Sequence, residues 1–441
     1  MNYVLAVVIL LIWLAAVLRQ RRLLPGIVVA SILAVNILSF YLIQFLQLAD
    51  LIHIEHSYKY KRIYLGDEYP FLLTVGGLLV AICAPYILGA VDRPKQLDGA
   101  GGQPSMSANQ PVLIFVLACF ILTIFHAITT NLAFLGEYTI YLQFRDPANL
   151  NITNDLVAFF HGNMGAVGIL LGVIIATSGR KSLYTAFMAL FPYFYIVAFQ
   201  AASISRWLIL QLAIPAVILA FRTRFRWPLL ALIILSMVPL YGSLRVVRED
   251  NVLGVDALVS SMFDGTSVNS GFIVDSIGNI FGAGLNVSEA QGKVDVTFPL
   301  NFNVLSFSPL PSSIDGFDDW RQYTQWINIY GPFNVFSELY WMGVGWYILF
   351  VLLMVVTVRW NDKVDMFRRA GQLTPLLAGL ANVLLYYGVL LTTQYPLRSA
   401  MRWPEISALL AFLLVSLALR TQRRRTVREA RQNRPANARP V

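Results

Sequence analysis

The chain has 441 residues, of which 57% are hydrophobic and 13% are charged, and its mean hydropathy is +0.64. These values exclude an ordinary soluble domain and are typical of a polytopic helical membrane protein. The net charge of +9 follows from basic connections between apolar segments, so it gives no reason to expect nucleic acid as a partner.

Eleven apolar runs have about the length that a bilayer core requires, roughly 17 to 25 residues. We predict transmembrane helices at 3–18, 24–48, 71–91, 111–133, 156–178, 182–203, 207–221, 227–244, 335–358, 372–394 and 404–419. The expected fold is an all-α polytopic membrane protein with one large extracytoplasmic loop. Its predicted regions are helices 1–8 in 1–244, the loop in 245–334, helices 9–11 in 335–419 and a basic tail in 420–441.

Lysine and arginine divide unequally between the two sets of connections, with 22 on one side and 11 on the other. Cytoplasmic connections of membrane proteins are enriched in these residues. We therefore expect the N-terminus and the large loop to lie outside and the C-terminus to lie in the cytoplasm. The tail from Arg420 to Arg439 is expected to contact anionic lipid of the inner leaflet.

The large loop is rich in Gly, Asn, Ser and Pro, and it is the longest polar segment of the chain. The spacing of Phe272, Ile273, Ile277 and Ile280 predicts a short amphipathic helix at 271–281, lying on the membrane surface. The four histidines of the chain are scattered, without nearby cysteines or paired acids. We expect neither a metal site nor a cofactor.

Arginines at the ends of three predicted helices are the first candidate site. Arginine suits bidentate recognition of phosphate, so such a group at one membrane depth predicts a lipid-anchored ligand with a negative head group. The alternative is that each side chain reaches to the interface or pairs with a neighbouring acid. The residues are Arg206, Arg245, Arg248, Arg398 and Arg402, joined by Arg321 in the loop.

Glu338 is the second candidate, because it lies where the loop meets the ninth predicted helix. A carboxylate near apolar surface tends to have a raised pKa, which suits proton abstraction from a sugar hydroxyl. Alternatively, Glu338 is an acid of the first helical turn, with Ser337 as the N-cap. Tyr340 belongs to a group of aromatics that suit stacking on sugar rings, although an interfacial aromatic belt explains them as well.

His126 and His161 fall inside the fourth and fifth predicted helices. Ionisable groups within a membrane are functional candidates. The competing interpretation is a histidine that is hydrogen-bonded to a backbone carbonyl. No acid or basic residue falls at the centre of any predicted helix, which weighs against an ion-coupled transporter.

The layout resembles that of the Wzy-type O-antigen and oligosaccharide repeat-unit polymerases. The resemblance rests on the many helices, the late loop with arginines facing it, a Ser-Pro-Leu-Pro segment at 308–311, and the pattern Glu338, Tyr340, Gly343. As topology it covers the whole chain, and as motif only about 245–346.

The resemblance implies a metal-independent glycosyltransferase of the GT-C kind in the bacterial inner membrane. It implies transfer of a glycan from undecaprenyl diphosphate to a lipid-linked repeat unit at the periplasmic face, with a flippase and a chain-length regulator as partners. By this analogy Glu338, Arg245 and Arg248 would be catalytic, and Arg206, Arg321, Arg398, Arg402 and Tyr340 would bind substrate. The alternatives are a transporter or flippase for lipid-linked oligosaccharide and another transferase such as an O-antigen ligase.

Overall fold

The structure is a computed structural model and is mostly helical. It describes residues 2–20, 24–51, 68–90, 110–130, 150–178, 183–205, 207–221, 226–249, 254–263, 278, 281–293, 295–310, 312–328, 331–373 and 375–432. The chain forms two compact units. The first unit comprises Met1–Pro104 and Ile277–Val441, and the second comprises Ser105–Ser276.

Helices α1 to α9 precede most of the predicted loop. They are α1 (Asn2–Arg19), α2 (Pro25–Leu48), α3 (Glu68–Ile87, with a π-helical segment at Leu72–Gly76), α4 (Gln110–Thr129), α5 (Asp155–Thr177), α6 (Leu183–Ala202), α7 (Trp207–Phe221), α8 (Arg226–Glu249) and α9 (Val255–Phe263).

The remaining elements all belong to the first unit. They are α10 (Ala283–Gln291), α11 (Leu300–Ser306), α12 (Ser312–Asp315), a 3₁₀ helix (Phe317–Tyr323), β1 (Trp326–Asn328), β2 (Gly331–Pro332), α13 (Val335–Met342), α14 (Val344–Arg369), α15 (Pro375–Thr392) and α16 (Leu397–Gln432). The two short strands pair antiparallel.

Seven helices among the described residues are long and apolar enough to cross a membrane, namely α2 to α6, α14 and the part of α16 at Leu397–Gln422. Three shorter helices are also apolar: α1, α7 and α15. The chain is therefore a polytopic α-helical membrane protein, and the count of eleven membrane crossings stays a prediction.

Two predicted boundaries are wrong. The ninth predicted helix, at 335–358, is two helices, α13 and α14, which separate at Gly343 with a φ of +96°. Glycine tolerates this conformation because it has no Cβ. Helix α14 then continues to Arg369 instead of ending at 358. The last helix begins at Leu397 instead of 404, and it continues to Gln432.

The predicted large loop contains regular structure. In the first unit, α10, α11, α12, the 3₁₀ helix and the β-hairpin lie within it. The predicted amphipathic helix at 271–281 lies outside the described residues, apart from Gly278 and Phe281.

In the second unit, a row of glycines brings α5 against α7. Gly165, Gly168 and Gly172 share one helical face, and a Cβ built on Gly165 would lie 2.2 Å from the Trp207 ring. The Gln211 side chain donates to the backbone carbonyl oxygen of Gly165 at 3.2 Å. Small residues allow membrane helices to approach closely, and such interhelical hydrogen bonds add to the packing.

In the first unit, buried Asp362 joins three helices. Its carboxylate accepts hydrogen bonds from the Gly26 amide at the start of α2, at 3.0 Å, and from the Tyr86 hydroxyl at the end of α3. Arg359 lies 3.3 Å away on α14. A buried carboxylate needs such partners to offset its lost hydration. We therefore interpret Asp362 as a structural anchor.

Candidate functional site

The first candidate site is the start of α13, where four buried polar residues form what we call the loop cluster: Asn286, Asn334, Ser337 and Glu338. Asn334 is the N-cap of α13, since its side-chain oxygen accepts from the Ser337 amide at 2.8 Å. The prediction that Ser337 caps this helix is therefore wrong. An asparagine just before an apolar helix is a common cap signal.

Asn334 also ties the loop to the membrane helices of the first unit. Its backbone amide donates to Asn286 Oδ1 on α10 at 2.9 Å. Its side-chain amide donates to the Thr393 carbonyl oxygen at the end of α15, at 3.1 Å. The Ser337 hydroxyl lies within 2.8 Å of both asparagine oxygens. These hydrogen bonds join α10, the start of α13 and the end of α15, and so favour one loop conformation.

Glu338 is completely buried. Its Oε2 accepts a hydrogen bond from the Leu397 amide at 2.6 Å, so the carboxyl group caps the first turn of α16. Its Oε1 has no hydrogen-bond partner. Burial raises the pKa of Glu338 and the Leu397 hydrogen bond lowers it by less, leaving it at about 8. The carboxyl group is thus a positioning element in this structure, and its role as a base stays a prediction.

Arg398, one residue beyond Leu397, is also buried, and both of its terminal nitrogens contact the loop, whereas its Nε has no hydrogen-bond partner. Its guanidinium lies 2.7 Å from Asp315 Oδ1 and 2.8 Å from Oδ2. It also donates to the carbonyl oxygens of Leu305 and Leu310. Nη2 alone contacts both carboxylate oxygens, while Nη1 bonds to the Leu305 carbonyl oxygen. These contacts leave little of Arg398 for an external anion.

Asp315 is held as an anion by its surroundings. Burial acts to raise its pKa, but hydrogen bonds from Ser308, Arg398 and the Phe317 amide outweigh that effect and lower the pKa below its ordinary value. The Arg398 guanidinium also lies 4.2 Å from the Phe317 ring centroid. This ion pair therefore anchors the loop to the start of α16.

Arg402 lies one helical turn beyond Arg398 and is partly buried. Its Nε has no hydrogen-bond partner, and neither does Oε2 of Glu405. Buried polar atoms are normally satisfied. Among the described arginines, Arg359 and Arg398 also have an unpartnered nitrogen, but each of them pairs with a carboxylate. Arg402 is therefore the candidate of the first unit for an anionic ligand.

Arg321 and Tyr340 lie at the surface of the first unit. Arg321 is 71% exposed and pairs with Asp318 at 2.8 Å. An exposed pair of this kind contributes little to stability. Tyr340 is 38% exposed, and its ring lies against Trp341 at a centroid distance of 5.3 Å. Both side chains are accessible to a ligand.

The remaining predicted arginines belong to the second unit. Arg245 and Arg248 lie in the last two turns of α8, and their side chains are outside the described part of the chain. Arg206 is outside it altogether. Their roles in catalysis and substrate binding stay predictions.

A second polar cluster lies within the helices of the second unit. His126 on α4 is fully buried, and its Nε2 lies 3.1 Å from Nδ1 of His161 on α5. Its Nδ1 lies 2.8 Å from the Tyr195 hydroxyl on α6. Both ring nitrogens of His126 thus bond to side chains, and not to a backbone carbonyl as the competing interpretation held. The two histidines are candidates because they fall inside predicted helices, whereas no pattern distinguishes Tyr195 from the many other aromatic residues.

The fold and these two clusters define a polytopic membrane protein with buried polar sites inside it. Among the described residues, no group of three or more His, Cys, Asp or Glu could hold a metal ion. No family model, no curated protein and no solved structure matches the chain.

Proposed function

We propose that this protein is a glycosyltransferase that joins oligosaccharide repeat units, carried on undecaprenyl diphosphate, into a surface polysaccharide. The observation that supports this proposal is the docking of a polar loop onto the end of α15 by Asn334 and onto the start of α16 by Glu338 and Arg398. A lipid-linked sugar has its prenyl chain in the bilayer and its sugars outside, so an enzyme for it needs a rigid polar surface at the end of a membrane helix.

The proposed reaction requires a positive charge near the leaving group, and Arg402 is the candidate to supply it. Cleaving the bond between an anomeric carbon and diphosphate places negative charge on the leaving diphosphate. A fixed cation stabilises that charge without metal. Arg402 is half-buried with an unbonded Nε. For the second unit, Arg206, Arg245 and Arg248 are proposed to bind an anionic part of the substrate.

The acceptor hydroxyl must also lose a proton. Glu338 is the predicted base, but it contacts substrate only if the loop above it moves, because its side chain is buried. Tyr340, two residues later and exposed, is proposed to contact the sugar. A flippase would supply the substrate and a chain-length regulator would act on the product.

Purified protein in lipid nanodiscs tests the proposal. The substrate is the lipid-linked repeat unit that accumulates in cells lacking this protein, and the product is read as a ladder on a gel. We expect wild-type protein to form a ladder, Arg402→Ala to lose it and Arg402→Lys to recover part of it. Lys363→Ala is the control, because Lys363 is an exposed cation on α14 that belongs to no predicted site. Absence of any ladder from well-folded wild-type protein would refute the proposal.

The transporter or flippase alternative has its support in the second unit. Titratable groups that bond to one another within membrane helices, as His126 and His161 do, are typical of proton-coupled carriers. Cells lacking the protein distinguish the two functions. Loss of a polymerase leaves single repeat units on the outer face of the membrane, whereas loss of a flippase leaves them on the inner face.

A further inference from the structure

The rings of His126 and His161 are joined edge to edge. Their planes differ by only 6° and their centroids are 5.3 Å apart, while the facing nitrogens are 3.1 Å apart. The distance between the two centroids exceeds the distance between the facing nitrogens by about the diameter of one imidazole ring. This is the difference expected when each nitrogen lies on the line that joins the two centroids. The two rings therefore lie nearly in one plane, with an almost linear N–H···N hydrogen bond between them.

This geometry differs from that of a shared metal ion. Two imidazoles on one tetrahedral ion direct their nitrogens at it along lines that meet at a large angle, with metal–nitrogen distances of about 2.0–2.1 Å. An almost straight line between nitrogens 3.1 Å apart leaves no room for an ion. A single proton between the rings accounts for the arrangement.

The hydrogen atoms in the row of hydrogen bonds Tyr195–His126–His161 can be assigned by counting donors and acceptors. In the neutral state, one consistent arrangement has the Tyr195 hydroxyl donating to His126 Nδ1 and His126 Nε2–H donating to His161 Nδ1. An added proton binds at His126 Nδ1, which then donates to the Tyr195 oxygen after the hydroxyl rotates. No heavy atom has to move. A second proton would bind at His161 Nδ1, where it would face the His126 Nε2–H and break the bond.

The surroundings of these three hydrogen-bonded side chains are apolar and nearly without charge. Phe199 packs edge-on against both imidazoles. In α4, α5, α6 and α7 the only charged residue is Asp155, at the first position of α5. The other titratable groups on these helices and on α9, which packs against α6, are Cys119, Tyr184, Tyr193 and Asp256.

We propose that His126 and His161, together with Tyr195, form a binding site for one proton within the helices of the second unit. The site takes up one proton without rearrangement, and a second proton disrupts it. In the predicted topology, the end of α4, the start of α5 and the end of α6 all lie at the periplasmic side of the membrane. The proton therefore exchanges with the periplasm. The proposal is independent of the glycosyltransferase proposal.

The experiment uses full-length protein in lipid nanodiscs with ¹⁵N-labelled histidine. The chain has only four histidines, so replacing His53 and His56 by glutamine leaves signals from the pair alone. Solid-state NMR then measures the nitrogen–nitrogen coupling through the hydrogen bond while the pH is lowered from about 8 to about 4. We expect the coupling at neutral pH, its persistence as one proton is bound, and its loss with the second.

Tyr195→Phe removes the hydroxyl that accepts from the protonated His126, so the first midpoint should move to lower pH while the coupling remains. Tyr184→Phe is the control, because Tyr184 lies on the same helix and is 66% exposed. Two results would overturn the proposal. One is the absence of coupling in folded protein. The other is independent uptake of two protons, with each midpoint unchanged when the other histidine is replaced by glutamine.

Discussion

Glu338 combines two possible roles that a single substitution separates. As a cap, its oxygen is needed to accept from the Leu397 amide, and a glutamine side chain does this equally well. As a base, its ionisation is needed, and loss of a base costs roughly 10²-fold or more in rate. Because Glu338 is the proposed base, we expect Glu338→Gln to fold and to lose roughly 10²-fold or more of polymer formation. Glu338→Ala should unfold at a lower temperature, because losing a cap costs about 0.5–2 kcal/mol.

The measurements are the product ladder and the melting temperature of detergent-solubilised protein. Normal polymer from folded Glu338→Gln would contradict the base role and leave Glu338 as a helix cap.

The pH dependence of stability gives a second test of Glu338. Its pKa is raised by burial from 4.5 to about 8, so the folded state binds more protons than the unfolded state between these values. The free energy of unfolding should therefore fall as the pH rises from about 5 to 8, with the contribution fully lost above 8. Melting curves at several pH values should show this slope in wild-type protein and less of it in Glu338→Gln. Equal slopes would contradict it.

Arg398 was selected from the sequence as a phosphate ligand, and the structure gives it a loop carboxylate instead. If it is an anchor, Arg398→Ala and Asp315→Asn should lower the melting temperature by similar amounts, and the double variant should lose little more. Breaking a buried pair by removing one partner typically costs about 3–5 kcal/mol. Loss of activity in Arg398→Ala with unchanged stability, and with Asp315→Asn normal, would instead favour the ligand role.

At the scale of elements, the approach of α5 to α7 depends on Gly165. A Cβ there would overlap the Trp207 ring, so Gly165→Ala should reduce the yield and melting temperature of the protein. Gly162→Ala is a matched control on the same helix, because no atom lies within 4 Å of its Cβ position. Alanine is the better helix former by about 1 kcal/mol. The control should therefore be neutral or stabilising, and equal effects of both changes would show that the contact does not matter.

Hydrophobic run length predicted where most helices lie, because membrane-spanning segments must be apolar and about 20 residues long. It failed at Gly343, where the apolar run continues although one helix ends and another begins. It also failed at Leu397, because Arg398 and Arg402 make the first turns of that helix too polar to be included in an apolar run. Glu338 and the two histidines could be selected as unusual polar residues in apolar surroundings. Their partners Leu397 and Tyr195 could not, because these contacts join residues distant in sequence.

For the whole molecule, orientation is the main prediction. A reporter fused after Arg425 should be cytoplasmic and one inserted at Gly292 extracytoplasmic, as the distribution of basic residues indicates. Alkaline phosphatase and green fluorescent protein fusions measure this in cells. The same side for both reporters would mean that the number of membrane crossings between these two positions is even.

Helix α16 runs without interruption for 36 residues, from the capped amide of Leu397 to Gln432. At 1.5 Å per residue its length is about 54 Å, compared with about 30 Å for the hydrocarbon layer. At its first turn, the Leu397 amide bonds to Glu338 and the Arg398 side chain bonds to the loop. Its other end carries the arginines from Arg420 onward. At 1.5 Å per residue, Arg420 lies about 35 Å along the helix from Leu397, which exceeds the thickness of the hydrocarbon layer. The length of this one helix is therefore enough to place the loop contacts and the arginines in the aqueous phases on opposite sides of a bilayer.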